Sequence, residues 1–567
     1  MEHNLHAHPL FTTSSNLLAD DDRILLSYHR ARLLLQTWDL SPEDVLKCTP
    51  KFWAFQEDPV FALDASVTNI LACHVNLFLG TLSPHLRRRP HLESVMERGL
   101  KGELIGNFLL SEVGHGLDIL NLETTATKVH DGFILHTPHP RAAKIMPPTT
   151  PIPGFPKMAV VMARLILDNE ERGIHPFLVQ TSDERSMRPG ITSRRLPPRC
   201  GSCPVDFAIT SFNKVHLPTT AFLGNRYDKP ENVQFLLHRY LWRIGLGTAI
   251  LPMHVVTGLG VIATIGADYS YRRHIQGKGD SSVPIVSFRT QQLPILRAIA
   301  LAHVFKAWRP LVVQCLMDVD VDPRVKHAMG VVFKATVGRM TTTLAREVGE
   351  RLGAQGLFGH NLVAQMENDV RGMNIAEGDI LVLSIRLFSE ILLERYTLPT
   401  PEHSSSLLAR HWSGIFTHSA TILRSLPQGH RDADFNNLVL PQSEPALIAI
   451  GHAYAYAAAL DAGVPQPLVD IFELLALQAD EGWYIENARW TQARRVETGD
   501  KAIRDALPHM KEYVDLLDMR KYFTVPIRSD ETWDQWVLKL KSHSHLDEAG
   551  HGPAGLNALS SMSSARL

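Results

Sequence analysis

The stretch Ser111-Glu112-Val113-Gly114-His115-Gly116 decides how the rest of this sequence is interpreted. It continues through Glu123-Thr124-Thr125-Ala126-Thr127 into a β-rich region, and helical patterns precede and follow that region. A second stretch, Glu377-Gly378-Asp379, follows the glycine-containing Gly353-Ala354-Gln355-Gly356 and precedes a long apolar segment. Apolar residues at helical spacing in two adjoining rows of that segment predict a helix buried in a bundle.

Length, composition and charge indicate a multidomain globular protein. The chain has 567 residues, of which 45% are apolar and 20% charged, and its net charge is −2. This length predicts several domains, and the near-neutral charge excludes a strongly basic footprint, so we expect no nucleic-acid partner. Because no run of about 18 uninterrupted apolar residues is present, we expect no membrane-spanning helix.

Cysteine and histidine patterns give no sign of a metal centre. Five cysteines are too few, and odd in number, for a disulfide framework. Cys200-Gly-Ser-Cys203 has the spacing of a metal or redox pair, but no second pair completes a zinc site. The 28 histidines include no His-Glu-x-x-His pattern. We therefore interpret the cysteine pair as part of a loop and predict no metal site.

The order of local patterns predicts an α+β multidomain protein. Ser41-Pro42-Glu43-Asp44 has the capping hydroxyl and first-turn proline of a helix start. The run from Phe207 to Val215, closed by Pro218, has the composition of one strand. The predicted parts are an N-terminal helical domain, a middle β-barrel-like domain, a helical bundle, a second C-terminal helical domain and a flexible tail, at residues 1–105, 106–225, 226–400, 401–545 and 546–567.

The two opening stretches, in this order, resemble the acyl-CoA oxidase branch of the acyl-CoA dehydrogenase family. The first is similar to the Thr-Glu-x-Gly-His-Gly segment at the first strand of the β domain in acyl-CoA oxidases. The resemblance implies that Ser111 and nearby amides bind the flavin of FAD, and that Gly114 and Gly116 let the backbone approach it closely. Pro148 stands where the family has a glycine whose amide reaches the flavin, and proline has no N–H to donate. Thr149 or Thr150 could replace that contact.

Other motifs extend the resemblance to the dinucleotide part of FAD. Tyr269-Ser270-Tyr271-Arg272-Arg273 and Phe288-Arg289-Thr290-Gln291-Gln292 resemble the Tyr-Ser-x-x-Arg and Phe-x-Thr-Gln-Gln elements of the family. They imply that Arg272 and Gln291 bind the FAD pyrophosphate and adenosine, often across a dimer interface. Arginine suits that role because its planar fork pairs with two phosphate oxygens. The resemblance also implies cofactor contacts at Gly353 and Gly356.

Glu377 is the candidate catalytic residue. It corresponds to the glutamate of the family's Tyr-Glu-Gly-Asp-Asn motif, with Ile380 in place of the last asparagine. Desaturation of a thioester between its α and β carbons needs a base at Cα while hydride leaves Cβ. A carboxylate can serve as that base if a dry pocket raises its pKa towards the working pH.

 
The resemblance implies an FAD-dependent acyl-CoA oxidase. Such an enzyme introduces a trans-2 double bond into an acyl-CoA, passes the electrons to O2 to give H2O2, and forms a homodimer. The motifs leave two alternatives open: a dehydrogenase that uses an electron-carrier flavoprotein, and a non-catalytic acyl-CoA-binding paralogue.

The last residues predict a peroxisomal protein. Ser564 is followed by Ala565-Arg566-Leu567, a small–basic–leucine tripeptide of the form read by the peroxisomal import receptor. The preceding segment is rich in Gly, Ser, Ala and Pro, a composition that would leave the tripeptide accessible. The alternative is that these residues are only a frayed tail.

Overall fold

The computed structural model describes residues 5–13 and 15–543. Helices come first, a β region follows, and helices make up most of the remainder. The predicted α+β class, with helical, β and helical parts in that order, is therefore confirmed, whereas the domain boundaries stay predictions. The predicted tail at 546–567, with its tripeptide, lies outside the described residues.

The N-terminal part is helical, as its caps and apolar spacing predict. Its elements are α1 Pro9–Thr12, α2 Asp20–Trp38, α3 Pro42–Lys47, α4 Pro50–Gln56, α5 Val60–Leu63, α6 Ala65–Leu71, the π-helical Ala72–Leu79, α7 Gly80–Leu82 and α8 His91–Leu100. Ser41 and Asp44 form the capping box at the start of α3, each side chain accepting from the other residue's amide. Ile24, Tyr28 and Leu35 form the buried face of α2.

The β region consists of two sheets. Its strands are β1 Ile105–Leu109, β2 Thr125–Val129, β3 Gly132–His136, β4 Lys144–Met146, β5 Lys157–Leu167, β6 Glu170–Ser182, β7 Ile191–Arg195, β8 Ala208–Phe212 and β9 Val215–Pro218. Six strands form one sheet in the order β1-β5-β2-β3-β9, with β6 on β5, and β4-β8-β7 form the other. Because β6 pairs along one edge of β5, β1 and β2 share its opposite edge, both parallel to it.

The single strand predicted from Phe207 to Val215 is wrong, because the structure divides it into β8 and β9. Lys214 has a φ of 49°, in the left-handed region, so the chain turns there. β8 pairs with β4 and β7, whereas β9 pairs with β3 in the larger sheet. The β-rich composition continues across the turn, so the sequence pattern does not reveal the change of sheet.

The C-terminal part is a set of helices with one small hairpin. Its elements are α9 Val233–Tyr240, α10 Trp242–Arg272, β10 His274–Gln276, β11 Ser282–Pro284, α11 Arg289–Met317, α12 Pro323–Arg351, α13 Val363–Ile375, α14 Ile380–Leu392, α15 Leu407–Ser425, α16 Ser443–Asp461, α17 Gln466–Gln478, α18 Glu481–Ala488, α19 Gln492–Ala506, α20 Met510–Leu517 and α21 Asp530–Val537. α10 packs against α11, α12 and α13. It thereby brings its own side chains close to the turn that joins α13 to α14.

Three helical segments are long and apolar enough to cross a membrane by length and composition: Ala65–Arg88, Trp242–Arg272 and Arg289–Met317. The expectation of no membrane-spanning helix stays a prediction, because these segments meet the criterion by length and composition only. The most apolar window of Trp242–Arg272 is completely buried inside the fold. Its packing against α11, α12 and α13 accounts for apolar residues on all its faces, since a helix that is hydrophobic all round is a buried one.

Candidate functional site

A cavity of about 1510 Å³ is formed by the N-terminal helices, the β region and the central helices. Ser111 and Gly116 line it from the segment after β1, and Met146 lines it from β4. Glu377 lines it from the turn between α13 and α14. Two stretches that lie far apart in the sequence therefore meet at one cavity.

The Ser111 segment leaves the large sheet between β1 and β2 and is held by β4. The carbonyl of Ser111 accepts from the amide of Ile145 at 3.0 Å, and the amide of Val113 donates to the carbonyl of Ala143 at 2.9 Å. These bonds extend the strand pairing beyond the end of β1. They fix the backbone on both sides of Ser111 at the cavity wall.

Glu112 anchors the same segment from inside the protein. Its carboxylate accepts from the amides of Glu123 and Thr124 at 2.8 and 2.9 Å and from the Lys144 ammonium at 2.9 Å. Both charged side chains are fully buried. Burial alone would raise the pKa of Glu112, but Lys144 and the two amides outweigh burial and lower it. Burial lowers the pKa of Lys144 to about 8, despite the nearby carboxylate.

The two glycines of the segment have different surroundings. A Cβ at Gly116 would meet no atom within 4 Å, so the chain faces open space in the cavity there. Gly114 does not line the cavity: its amide donates to the carbonyl of Arg141 at 2.7 Å, and a Cβ there would lie 3.2 Å from Arg141. The structure thus places Gly116, but not Gly114, where a cofactor could approach.

His115 and Glu123, both in the stretches that first indicated the family, contact each other directly. The His115 ring and a Glu123 carboxylate oxygen are 2.8 Å apart, and His139 lies 2.7 Å from the other oxygen. The hydrogen bond that the Glu123 carboxylate accepts from the His115 ring raises the pKa of His115. The motif histidine therefore braces the segment and is not aimed at the cavity.

The segment around Pro148 is tied to the protein core. The carbonyl of Pro148 accepts from the Asn107 side chain at 3.2 Å and from the Lys157 ammonium at 2.8 Å. Thr149 and Thr150, the two candidates to replace the lost amide contact, already use their hydroxyl groups. The Thr149 hydroxyl is shared with Ser193 and Thr210, and that of Thr150 donates to Asp206. Neither hydroxyl lines the cavity.

Glu377 occupies a left-handed turn between two helices. Its φ is 55°, an uncommon value for a residue with a side chain, and Gly378 follows with a φ of 97°. The Asp379 carboxylate then caps α14 by accepting from the amides of Leu381 and Val382 at 3.0 and 3.4 Å. The helix end and the helix start on either side fix the direction in which the Glu377 side chain points.

The Glu377 side chain is half-buried, and one oxygen of its carboxylate is buried without a compensating hydrogen bond. Among the described residues, its Oε2 atom has no hydrogen-bond partner. Burial raises the pKa of Glu377, and the positive charge of Lys334 partly offsets this rise. A buried carboxylate with a raised pKa and a free oxygen has the properties of a general base.

Three residues that sequence reasoning missed surround this carboxylate. Lys334 of α12 donates to the carbonyls of Ala376 and Gly378, which flank Glu377. Thr248 of α10 donates to the carbonyl of Glu377 itself at 3.2 Å. A Cβ at Gly247 would lie 1.4 Å from Glu377 Oε2. Of these three residues, only Lys334 carries a signal in the sequence, because it is a charged residue in an apolar stretch of a helix.

Besides Gly114, four residues predicted to bind FAD do not line the cavity within this chain, so the structure does not bring them together with Glu377. Arg272 pairs with Asp530 and donates to the carbonyl of Ile527 at 2.8 Å. Gln291 donates to the hydroxyl of Ser270 and to the carbonyl of Arg351. Gly353 and Gly356 follow α12, and a Cβ at Gly356 would collide with the backbone of Gly349. The close packing of Gly349 accounts for glycine at 356 without a cofactor.

The arginine next to Arg272 has a different environment. In the Tyr-Ser-x-x-Arg spacing, Tyr269 and Ser270 place the motif arginine at position 273 rather than 272. Arg273 is exposed, and within the described part of the chain its guanidinium makes no hydrogen bond or ion pair. Arg273 is therefore the arginine of the motif that is accessible to a ligand or to a second copy of the chain.

No protein-family model matches the sequence. Curated proteins, however, do match it. The chain is 28% identical over 345 residues to acyl-coenzyme A oxidase acox-1.2 of Caenorhabditis elegans, a match that covers 56% of this chain and 50% of that protein. It is 24% identical over 389 residues to peroxisomal acyl-coenzyme A oxidase 3 of Homo sapiens, covering 63% of this chain and 54% of that protein. The chain thus matches about half the length of these relatives.

Solved structures extend the likeness to nearly the whole chain. Acyl-CoA oxidase 3 from Yarrowia lipolytica superposes with a TM-score of 0.76 and 16% identity, over 94% of this chain and 87% of that one. Acyl-CoA oxidase-1 of Caenorhabditis elegans, in complex with FAD and ATP, gives a TM-score of 0.73 and 18% identity, over 93% and 88%. At these identities the likeness establishes the fold.

Proposed function

The chain is a relative of the acyl-CoA oxidases with their fold, and we propose that it is an FAD-dependent acyl-CoA oxidase. The reaction introduces a trans-2 double bond into an acyl-CoA and passes the electrons to O2, giving H2O2. One observation carries this proposal: Ser111 and Glu377 line the same cavity, and the buried Oε2 atom of Glu377 has no hydrogen-bond partner among the described residues.

The residues at the cavity fit FAD. Gly116 faces open space, so a planar ring can approach the backbone there, and Ser111 offers a hydroxyl on the same wall. Bound FAD supplies the hydride acceptor for the reaction. Ser111 and Gly116 hold the flavin within this chain. Arg273, exposed and unpaired among the described residues, is available to hold the dinucleotide part, with Arg272 as the neighbouring alternative.

Glu377 is the base that removes the α-proton. Its carboxylate must be ionised to accept a proton, and burial brings its pKa closer to neutral pH, where a base is most effective. Its Oε2 atom, unpaired among the described residues, is free to accept the α-proton. Lys334 and Thr248 hold the turn by its carbonyls and leave the carboxylate oxygens free for the reaction.

The remaining cavity walls fit an acyl-CoA. Leu251, Val255 and Ile262 of α10 contribute apolar surface suited to an acyl chain. Arg324 and Lys326 at the start of α12 line the same cavity and contribute positive charge suited to the phosphates of CoA. The apolar and basic parts together support an amphipathic anionic substrate.

The site argues against one of the two alternatives to the oxidase, but it does not distinguish the other from an oxidase. A non-catalytic acyl-CoA-binding paralogue has no use for a buried, unpaired base such as Glu377. A dehydrogenase that uses an electron-carrier flavoprotein shares the base and the flavin, and only the electron acceptor differs. The named relatives are oxidases, and this favours O2.

The proposal also covers the oligomeric state of the protein and its location in the cell. An exposed Arg273 next to the β10–β11 hairpin supports a homodimer in which each copy completes the FAD site of the other. Relatives of the chain include peroxisomal acyl-CoA oxidases, which supports a peroxisomal location and recognition of Ala565-Arg566-Leu567 by the import receptor.

The test uses the full-length protein and its visible spectrum. We expect purified protein to carry FAD and to lose its flavin absorbance when an acyl-CoA is added without oxygen. Admission of O2 should then restore the absorbance and release H2O2. Protein that takes up FAD but is never bleached by short, medium or long acyl-CoAs would favour the paralogue. Bleaching that O2 does not reverse would favour the dehydrogenase.

A further inference from the structure

Three consecutive carbonyl groups of the turn that carries Glu377 are each bound by a side chain from another helix. Lys334 of α12 binds the first and third, at Ala376 and, at 2.6 Å, at Gly378. Thr248 of α10 binds the middle one, at Glu377, at 3.2 Å. The two side chains therefore fix the backbone before, at and after the residue whose carboxylate lines the cavity.

Lys334 is an unusual residue for such a purely structural task. Its side chain is completely buried, in a helix stretch where Val331, Val332 and Phe333 are also buried. Among the described residues it forms no ion pair within 4.0 Å, and its two hydrogen-bond acceptors are neutral carbonyls. Burial lowers the pKa of Lys334, while the charges of Glu377 and Asp379 act against this change. A buried ammonium without a direct counter-ion is costly unless nearby negative charge compensates it.

The groups that face Glu377 leave Lys334 as its principal charge partner. The N-terminal helices contribute Cys73, whose pKa burial and Glu377 raise to about 12, so that it stays a neutral thiol. α10 contributes the uncharged Gly247 and Thr248. The turn itself contributes Asp379, whose carboxylate caps α14. Lys334 is thus the cation that these elements present to the carboxylate.

We propose that Lys334 is a positioning residue that holds the Glu377 turn in place and stabilises the ionised form of the Glu377 carboxylate. This proposal rests on the proposed function, in which Glu377 is the base. The lysine acts through the backbone carbonyls and through its charge, and it does not touch the substrate. It keeps a buried carboxylate available as a base near neutral pH, because a nearby positive charge favours the charged form of an acid.

Three variants separate the charge of Lys334 from its hydrogen bonds. Lys334→Gln keeps a donor for the carbonyls but removes the charge, and Lys334→Arg keeps the charge. Thr248→Val removes the bond to the middle carbonyl without changing any charge. For each variant, the rate of anaerobic flavin bleaching by acyl-CoA is followed as a function of pH, together with FAD content and thermal unfolding.

In wild-type protein the bleaching rate should rise with pH as Glu377 ionises. In Lys334→Gln the midpoint of this rise should move upward by about 1 to 3 pH units, the usual effect of losing a nearby opposite charge. Below the midpoint, the rate should fall about tenfold for each unit of this shift. Lys334→Arg should keep the wild-type midpoint, and Thr248→Val should lower the rate without moving the midpoint. A Lys334→Gln midpoint equal to that of wild type would overturn the proposal.

A second measurement does not depend on turnover. The infrared difference spectrum between wild-type protein and Glu377→Gln isolates the Glu377 carboxyl band, and its pH titration gives the pKa of that group. The same titration in the Lys334→Gln background should give a higher pKa. If wild-type flavin is never bleached, the proposed function fails, whereas the infrared titration still decides the role of Lys334. An unchanged carboxyl pKa overturns that role, whatever the activity.

Discussion

The Glu377 carboxylate packs directly against the backbone of Gly247 on α10, where a Cβ would lie only 1.4 Å from Oε2. No side chain fits at position 247 unless the carboxylate moves. The relationship accounts for glycine at this position of the helix, although glycine costs helix stability. It also defines the place of the proposed base independently of its hydrogen bonds.

Gly247→Ala should displace the carboxylate and slow flavin bleaching by acyl-CoA. Because alanine favours helix over glycine by about 1 kcal/mol, any loss of activity without a loss of stability points to the displaced base. The measurement is the anaerobic bleaching rate, with FAD content as a check. Gly245→Ala is the matched control, since a Cβ there meets His327 at an ordinary contact distance of 3.5 Å. Equal rates for the two variants would contradict the assigned position of the base.

Glu377→Gln keeps the size of the side chain but removes the proton acceptor. We expect FAD and acyl-CoA still to bind, and the bleaching rate to fall by about two to four orders of magnitude, the usual contribution of a positioned general base. Glu390→Gln is the control, because Glu390 also lines the cavity but pairs with Arg386 and Tyr396. A Glu377→Gln variant that bleaches as fast as wild type would remove Glu377 from the mechanism.

The sequence predicted the order of helical and β parts because caps, turns and apolar periodicity are local signals. Ser41 and Asp44, for example, are close enough in the chain for the capping box to be visible in the sequence. Lys334, Thr248 and Gly247 were not predictable, because their contacts with the Glu377 turn join separate helices, and nothing local specifies which helices pack together. The assignment of Glu377 depended on family resemblance, since a bare Glu-Gly-Asp is usually a surface loop.

Glu112→Gln should destabilise the protein and release FAD. The substitution removes the charge that compensates the buried Lys144 ammonium, and breaking one partner of a buried pair costs about 3–5 kcal/mol. Urea unfolding and the fraction of protein that carries FAD are the measurements. Glu171→Gln is the control, since its pair with Arg164 is exposed and should contribute about 1 kcal/mol or less. Similar losses of stability in the two variants would show that Glu112 is not an anchor of the Ser111 segment.

The last prediction separates the two adjacent arginines of the Tyr-Ser-x-x-Arg element. Arg272 already pairs with Asp530 and binds the carbonyl of Ile527, so Arg272→Ala should lower the unfolding temperature slightly and leave FAD bound. Arg273 is exposed and unpaired within the described residues, so Arg273→Ala should weaken FAD binding with little change in stability. The measurements are FAD affinity by flavin fluorescence and thermal unfolding. If Arg272→Ala loses FAD while Arg273→Ala retains it, the pairing with Asp530 gives way to the cofactor, and Arg272 is the phosphate-binding arginine. If the FAD affinity of both variants depends on protein concentration, the arginine acts across a dimer interface, because each site is then completed by a second copy of the chain.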